Sequence, residues 1–264
     1  NDMHCKFYHS NIYAMKRVII VCVVLLASVV GVAAQESKPA SSFFENMSKS
    51  DYNRVYVGYN PMKINWQDND TENFKHCPLS NSINIGYLHG SNILKSLPLY
   101  IEYGAMFQCS FGKYNSKTGG STKIYITNTA NMYSVNVPVN LSLRLGFKSN
   151  KIGILPYAGL NLRYNITGKI KKFTGAVISH GPSAEGGSRT KTYRLFDSSD
   201  NESAMGDKAL NRFQVGINAG LGFTFSKFYV GVGYTGDIMK IANNADSDYV
   251  GSLGFVNISL GLSF

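Results

Sequence analysis

The sequence predicts an all-β fold, an eight-stranded antiparallel up-and-down β-barrel that spans a membrane. Three observations favour it. Apolar residues recur at every second position over eight segments, many of these segments are long, and short and long connections alternate between them. A repeat of two is typical of a strand with one buried face, whereas an amphipathic helix repeats every 3.6 residues. The 17 Tyr, 15 Phe and 26 Gly also suit strands and turns better than helices.

Each predicted strand carries apolar residues on one face and mostly small or polar residues on the other. The predicted strands span residues 54–60, 81–89, 99–109, 132–147, 155–166, 212–225, 228–236 and 254–264. Strands in soluble proteins average about five or six residues, whereas a tilted strand needs about 9–11 residues to cross a bilayer. The long segments therefore favour a membrane barrel over a soluble sandwich.

The predicted connections fall into two classes. Residues 90–97, 148–153 and 226–227 are short connections, and residues 61–80, 112–131, 167–211 and 237–249 are longer. In outer-membrane barrels, short periplasmic turns alternate with long external loops, so an even strand count places both chain ends in the periplasm. An open sheet edge in hydrocarbon would leave unpaired backbone amides. The last strand must therefore pair with the first.

The N-terminal region predicts export. Lys16 and Arg17 precede an apolar run over residues 18–30, and small residues end at Ala34. This order is typical of a secretory signal peptide over residues 15–34, and the run is short for a transmembrane helix. Residues 1–14 resemble an upstream extension of the gene model, and the polar residues 35–51 a periplasmic linker. Residues 52–264 remain as the barrel domain.

The chain has a formal net charge of +10. A basic excess can indicate nucleic-acid binding, but the sequence contains neither a recognition-helix pattern nor an aromatic RNA-binding signature. We therefore expect no nucleic-acid partner. A basic exported surface instead predicts contact with anionic outer-membrane lipid and lipopolysaccharide.

Four segments resemble the PorT-like, "porin family" outer-membrane β-barrel domain. They are VNVPVNLSLRLGF (135–147), PYAGLNLRYNI (156–166), RFQVGINAGLGFTF (212–225) and FYVGVGYTGDI (228–238). The resemblance covers most of residues 51–264 and implies an outer-membrane barrel, although the family name does not establish a pore. Leu260, Leu262 and Phe264 resemble the terminal signal by which the barrel-assembly machinery recognises its clients.

Few charged side chains are expected in the lumen: Arg54, Glu102, Arg144 and Arg163, with Asp237 near an external end. Counting from the turns places Glu102 and Arg144 at similar heights on neighbouring strands, which predicts an ion pair, because an unpaired charge in a narrow lumen is costly. Such a pair either gates a narrow pathway or contributes to a plug. Side chains can fill an eight-stranded barrel, which favours the plug.

Two further features lie near the predicted external rim. Cys77 and Cys109 flank the second and third strands at nearly equal distances from their turn, so they either form a cross-strand disulfide or remain free thiols. Residues 168–211 form the longest predicted irregular segment. Long loops are usually functional or disordered, so this segment is either a recognition loop or a solvated one.

The favoured function is a structural or interaction role, exerted through external loops by a barrel with a largely plugged lumen. The external ligand is unknown. The alternative is a narrow porin-like channel for small solutes, and a secretion-assembly factor or a lipid-modifying enzyme is less favoured. No nucleophile–base–carboxylate set and no metal-ligand spacing stands out, so we expect no enzyme activity, cofactor or metal.

Overall fold

The computed structural model describes residues 50–66, 79–94, 97–118, 122–147, 152–180, 183–196, 210–239, 242–243 and 250–264. Its strands are β1 (Tyr52–Trp66), β2 (Asn81–Asn92), β3 (Leu99–Thr118), β4 (Thr122–Leu143), β5 (Leu145–Phe147), β6 (Ile152–His180), β7 (Ser183–Arg194), β8 (Phe213–Phe225), β9 (Phe228–Asp237), β10 (Ala242–Asn243) and β11 (Val250–Ser263). In these ranges, no helix is long and apolar enough to cross a membrane. The predicted upstream extension, the signal peptide and the linker up to residue 49 lie outside the described residues and stay predictions.

Eight strands close into an antiparallel ring in the order β1, β2, β3, β4, β6, β8, β9 and β11. β11 pairs with β1 from Arg54 opposite Ser263 to Trp66 opposite Gly251, so the first and last strands supply each other's backbone partners. β5 and β7 pair with β6, and β10 pairs with β11. The predicted eight-stranded up-and-down barrel and its closure are confirmed.

The ring is polar inside and apolar outside. All eight ring strands expose large apolar side chains on the outer face, such as Ile85 at 56% and Leu260 at 57%. The buried polar side chains on the inner face are mainly Asn, Gln, Ser and Thr, together with Arg54, Glu102 and Arg163, and they lie among buried Tyr, Leu and Met side chains. A soluble protein shows the opposite distribution, whereas a barrel in lipid needs an apolar outer band. The distribution identifies a membrane-spanning barrel.

Inward tyrosine rings lie flat across inward glycines of neighbouring strands. Tyr56 is opposite Gly86, and a Cβ added at Gly86 would lie 2.6 Å from the Tyr56 ring. The ring of Tyr52 crosses Gly90 in the same way. Glycine fits at these two positions because the ring occupies the space that a side chain would take, so a larger residue would displace the ring. The strands can therefore approach each other while large rings line a narrow lumen.

The barrel has two different ends. The turn rim carries the short connections 93–98, 148–151 and 226–227, and β1 begins and β11 ends there. The opposite end is the hairpin rim. There β3, β4, β6 and β7 continue past the ring as a sheet extension, formed by residues 112–118, 122–131, 168–180 and 183–194.

The sheet extension corrects the sequence interpretation. Residues 112–131 and 168–194 were expected to be irregular, but most of them form paired strands. The register of β4 against β6 shifts between Tyr133 and Ser134, where Ile166 is left without an opposite residue. This bulge leaves consecutive Ile166 and Thr167 exposed and so reverses which residues face inward. Because the bulge interrupts the alternation of apolar and polar residues, the sequence pattern did not predict that the strand continues.

Candidate functional site

The lumen near the turn rim contains a buried charged group that we call the Glu102 cluster: Tyr52, Arg54, Glu102, Tyr229 and Ser263. Arg54 Nη2 donates to Glu102 Oε1 at 3.0 Å, and the two side chains are 2% and 1% exposed. Tyr52 Oη donates to the same carboxylate oxygen. The Arg54 guanidinium lies 3.8 Å from the centre of the Tyr229 ring, and its Nε is 3.5 Å from Ser263 Oγ. The carboxylate balances the Arg54 charge, and an aromatic face covers the guanidinium.

A glycine on the intervening strand explains why residues of β1 and β3 meet. Tyr52 is opposite Gly90 of β2, and Gly90 is opposite Glu102 of β3. Because the Tyr52 ring lies across Gly90, its hydroxyl reaches the next strand but one. Arg54 reaches the same carboxylate. The Arg54–Glu102 pair therefore depends on a glycine, Gly90, on the strand between them.

The predicted partner of Glu102 was wrong. The register sets Glu102 opposite Asn140, while the backbone nitrogen of Arg144 donates to Pro98 O at 2.9 Å. Arg144 is therefore displaced by four residues from the height of Glu102, which is about 13 Å along a strand. Its guanidinium lies 5.0 Å from the centre of the Tyr52 ring, at the edge of the cluster. Glu102 pairs with Arg54 instead, because equal counts from the turns do not fix equal heights.

Amide side chains cross the wall of the middle lumen in a ladder. The ladder passes through Asn60, Ser82, Gln108, Asn136 and Asn161, one residue from each of β1, β2, β3, β4 and β6. Its donor–acceptor distances lie between 3.0 and 3.3 Å. Each hydrogen bond joins adjacent strands, so the ladder ties five strands together from inside.

A small polar cavity of about 60 Å³ lies in the lumen beside this ladder, and Glu102 and Arg54 contribute to its wall. Asn84, Asn140 and Asn218 also line it. Their side-chain oxygens accept no hydrogen bond from the described residues. A cavity of this size holds only a few water-sized molecules, and its unsatisfied acceptors favour such polar occupants.

A second charged group lies nearer the hairpin rim and is named the Arg163 cluster: Arg163, Gln214, Asp237 and Phe255. The Arg163 guanidinium donates to Gln214 Oε1 and to Asp237 Oδ2, and both charged side chains are 1% exposed. The guanidinium also lies 4.8 Å from the centre of the Phe255 ring. The three polar members come from adjacent ring strands β6, β8 and β9, so the cluster joins these strands across the lumen wall.

An apolar cap follows at the hairpin-rim end. Its members are Met62, Leu79, Ala130, Met132, Ile170, Leu195, Phe196, Leu210, Leu253 and Phe255, all buried. Leu195 N donates to Gly168 O at 2.9 Å, and Leu210 N donates to Leu195 O at 2.9 Å. Arg212 lies over the Phe196 ring at 5.4 Å. The connection between β7 and β8 thereby packs apolar residues against inward residues of the ring.

Sequence reasoning placed the inward charges but missed most of their surroundings. The cap residues Leu195, Phe196 and Leu210 come from a segment expected to be an irregular loop. Their clustering with a distant Phe255 depends on the fold, and the pair Leu195-Phe196 after a polar stretch was the only local signal. Leu260, Leu262 and Phe264 are half or more exposed on the outer face, and their assembly role stays a prediction.

Cys109 is half-buried on β3 and forms no disulfide with another described cysteine; it lies opposite Ile83. Its predicted partner Cys77 lies outside the described residues, so the disulfide stays a prediction. Within the described ranges, no three His, Cys, Asp or Glu side chains lie close enough together to hold a metal ion.

No protein-family model and no curated protein matches the sequence. Several solved membrane barrels are similar in structure. Ail, the attachment invasion locus protein of Yersinia pestis, in complex with the heparin analogue sucrose octasulfate, is 14% identical, and the match covers 81% of this chain and 99% of that chain with a TM-score of 0.36. Neisserial surface protein A is 12% identical, with 81% and 97% covered and a TM-score of 0.34. The N-terminal barrel domain of Pseudomonas aeruginosa OprF is 11% identical, with 81% and 100% covered and a TM-score of 0.25. Similarity at this level carries no information about what this chain binds.

Proposed function

We propose that the protein is an outer-membrane β-barrel with a plugged lumen, which acts through the surface that it presents at the hairpin rim. The observation that carries the proposal is the order of groups along the lumen. The Glu102 cluster, the Arg163 cluster and the apolar cap follow one another, and the polar cavity between them measures only about 60 Å³.

The two charged clusters favour a plug over a gate. Arg54 and Arg163 each have a buried carboxylate partner, so moving either guanidinium to open a path would separate a buried ion pair. Breaking such a pair typically costs about 3–5 kcal/mol. The apolar cap adds a second obstacle, because ions and small polar solutes lose their hydration in contact with Leu, Met and Phe side chains.

The outer-membrane location rests on several supports. β-Barrels with polar interiors and apolar outer bands are the form in which strands cross bacterial outer membranes, and the expected signal peptide fits export. In the proposed orientation, both ends of the barrel domain lie in the periplasm and the sheet extension faces outward. Membership of the PorT-like family is supported by the four motif segments, including those of β6 and β8.

The proposal includes two kinds of partner. The apolar band contacts outer-membrane lipid and lipopolysaccharide, and the barrel-assembly machinery inserts the chain by recognising the strand that carries Leu260 and Leu262. No catalytic role is assigned to the lumen, and neither secretion assembly nor lipid modification is part of the proposal.

Planar-bilayer recordings of the purified full chain test the plug. We expect no stable conductance steps from the wild type. A variant with Phe196→Ser and Leu210→Ser should also remain non-conducting, because the Arg163 and Glu102 clusters persist below the cap. Large, stable conductance of the wild type would favour the narrow channel and contradict the plug.

A further inference from the structure

The sheet extension has two chemically distinct faces. On its inner face, which continues the lumen side of the ring, Lys172 lies directly opposite Lys191, and Thr174 lies opposite Arg189. On its outer face lie Lys171 and exposed Phe173. Because paired residues of an antiparallel ladder share one face, the register alone brings three cations together on the inner face.

These three cations line an open pocket of about 510 Å³. Tyr193 borders the same pocket, while Ala176 and Gly187 leave its floor open. Specific sites for small ligands typically measure about 300–1,000 Å³. The pocket is therefore much larger than a single inorganic anion requires and matches an organic ligand.

Cations outnumber acidic residues in this part of the sheet extension. Residues 168–194 contain six Lys or Arg and one acidic residue, Glu185. Among the residues whose side chains are described, the ion pairs are Arg54–Glu102 and Arg163–Asp237, both in the lumen. Like charges directly opposite each other destabilise a strand pair, so the Lys172–Lys191 pair opposes the hairpin that contains it. An anionic ligand between them would remove this repulsion.

The spacing indicates a ligand with more than one anionic group. Opposite Cβ atoms in a ladder are about 4.5–5.5 Å apart, and Arg189 and Lys191 are separated by about 6.6 Å along one strand. A guanidinium binds phosphate or sulfate through two parallel hydrogen bonds, whereas an ammonium acts as a point charge. The hydroxyls of Thr174 and Ser188 and the ring of Tyr193 add groups that suit a polyhydroxylated ring.

We infer that this inner-face pocket binds a soluble saccharide that carries two or more phosphate or sulfate groups. The role rests on the proposed function, because it requires the hairpin rim to face the outside of the cell. A soluble source is favoured over the surrounding lipid because the pocket lies on the face that continues the lumen side, while the lipid band lies on the other face.

Titration calorimetry on the full chain in a non-ionic detergent tests the inference, with a dextran sulfate oligosaccharide as the probe. We expect binding of the sulfated probe and none of neutral dextran of equal length. The variant K172Q/R189Q/K191Q should bind at least about 10-fold more weakly, because it loses the charge-assisted hydrogen bonds to the anionic groups. Raising the salt concentration should weaken wild-type binding further.

A matched variant separates a specific pocket from general charge. K113Q/K117Q/K171Q removes the same number of cations from the outer face of the same extension and should change affinity by less than about two-fold. Gly187→Trp keeps every charge and fills the pocket. A Cβ at Gly187 meets nothing within 4 Å, so this variant should fold and lose binding.

Contrary results are equally defined. Equal weakening by both triple variants, undiminished binding to Gly187→Trp, or equal affinity for polyglutamate would overturn the saccharide pocket. Tighter binding to lipopolysaccharide vesicles than to the soluble probe would overturn the soluble source. These binding results do not depend on whether the lumen conducts ions. Failure of this inference and failure of the proposed plug are therefore distinguishable, because conductance tests only the plug.

Discussion

Replacing Glu102 with Gln, together with the variants below, tests whether the buried carboxylate pairs with Arg54 or with Arg144. Glutamine keeps the shape and an acceptor oxygen but removes the negative charge, so it leaves the Arg54 guanidinium buried without a counter-charge. The side chains are 1% and 2% exposed, and solvent therefore screens the pair poorly. Removing one partner of a buried ion pair costs about 3–5 kcal/mol. Because the retained oxygen can still accept from Arg54, we expect a loss of unfolding free energy of about 3 kcal/mol.

Two companion variants make the interpretation specific. Arg144→Gln changes a half-buried cation over the Tyr52 ring, an interaction typically worth about 0.5–1 kcal/mol at accessible sites. The double variant with Arg54→Met and Glu102→Met removes both charges and keeps apolar volume, so it should lie within about 1 kcal/mol of the wild type. Measured against the single variants Arg54→Met and Glu102→Met, the charge pair should then show a coupling energy of at least about 2 kcal/mol in a double-mutant cycle.

These differences in unfolding free energy are measured by unfolding the barrel, refolded into lipid vesicles, with guanidinium chloride. The free energy is taken by linear extrapolation to zero denaturant. Refolded fractions can be checked by the gel mobility of unheated samples. The assignment of Arg54 as the partner is refuted when Arg144→Gln destabilises the barrel as much as Glu102→Gln. A double Met variant as unstable as Glu102→Gln would refute the charge explanation itself.

The same titrations check four further predictions. Asp237→Asn should cost about 3 kcal/mol, because its side chain is 1% exposed and balances a buried guanidinium; a loss below about 1 kcal/mol would contradict this. Gly86→Leu should cost about 1–3 kcal/mol, because an added Cβ lies 2.6 Å from the Tyr56 ring, and full stability would show that the ring moves freely. Ser226→Gly should stabilise by about 1 kcal/mol, because residue 226 has a φ of 53°, and destabilisation would argue against this strain. Val232→Lys, on the apolar band at 49% exposure, should cost about 2–4 kcal/mol, and a neutral effect would place this position away from the bilayer midplane.

The barrel could be predicted because its ring strands contact two different solvents. Along β8 and β11, alternate residues face lipid and lumen, so the sequence alternates between residues such as Leu221 and Gly222. Both the fold class and the closure of β11 on β1 follow from that pattern and from the cost of an open edge in lipid. The inward direction of Arg54 and Glu102 follows from the same count.

The partners of the inward charges could not be predicted in this way. Alternation shows which face a residue occupies, but the stagger between strands decides which residues meet across the lumen. Glu102 meets Arg54 over Gly90 because a glycine leaves room for the Tyr52 ring and for a long side chain. A count across three strands, with attention to inward glycines, would have pointed to this contact.

The sheet extension escaped prediction for a related reason. In the sheet extension both faces of a strand carry polar residues, so β6 has Lys171 and Lys172 in succession and its polarity no longer alternates. Pairing there is maintained by the ladder that begins inside the barrel. Irregular structure was expected because polarity was taken as a sign of a loop, whereas the neighbouring strand already supplied backbone partners.

The continuous ladder between β4 and β6 gives the inner-face pocket a rigidity that a separate loop would lack. β4 pairs with β6 from Ser142 opposite Tyr157, near the turn rim, to Thr122 opposite Ile178 in the sheet extension, with a single register shift. Lys172 is therefore held by strands whose other ends are fixed by closure of the ring. Binding to preordered strands costs less conformational entropy than ordering a free loop. The barrel thus contributes to recognition as a rigid support for the cations at the rim, whether or not its lumen transports anything.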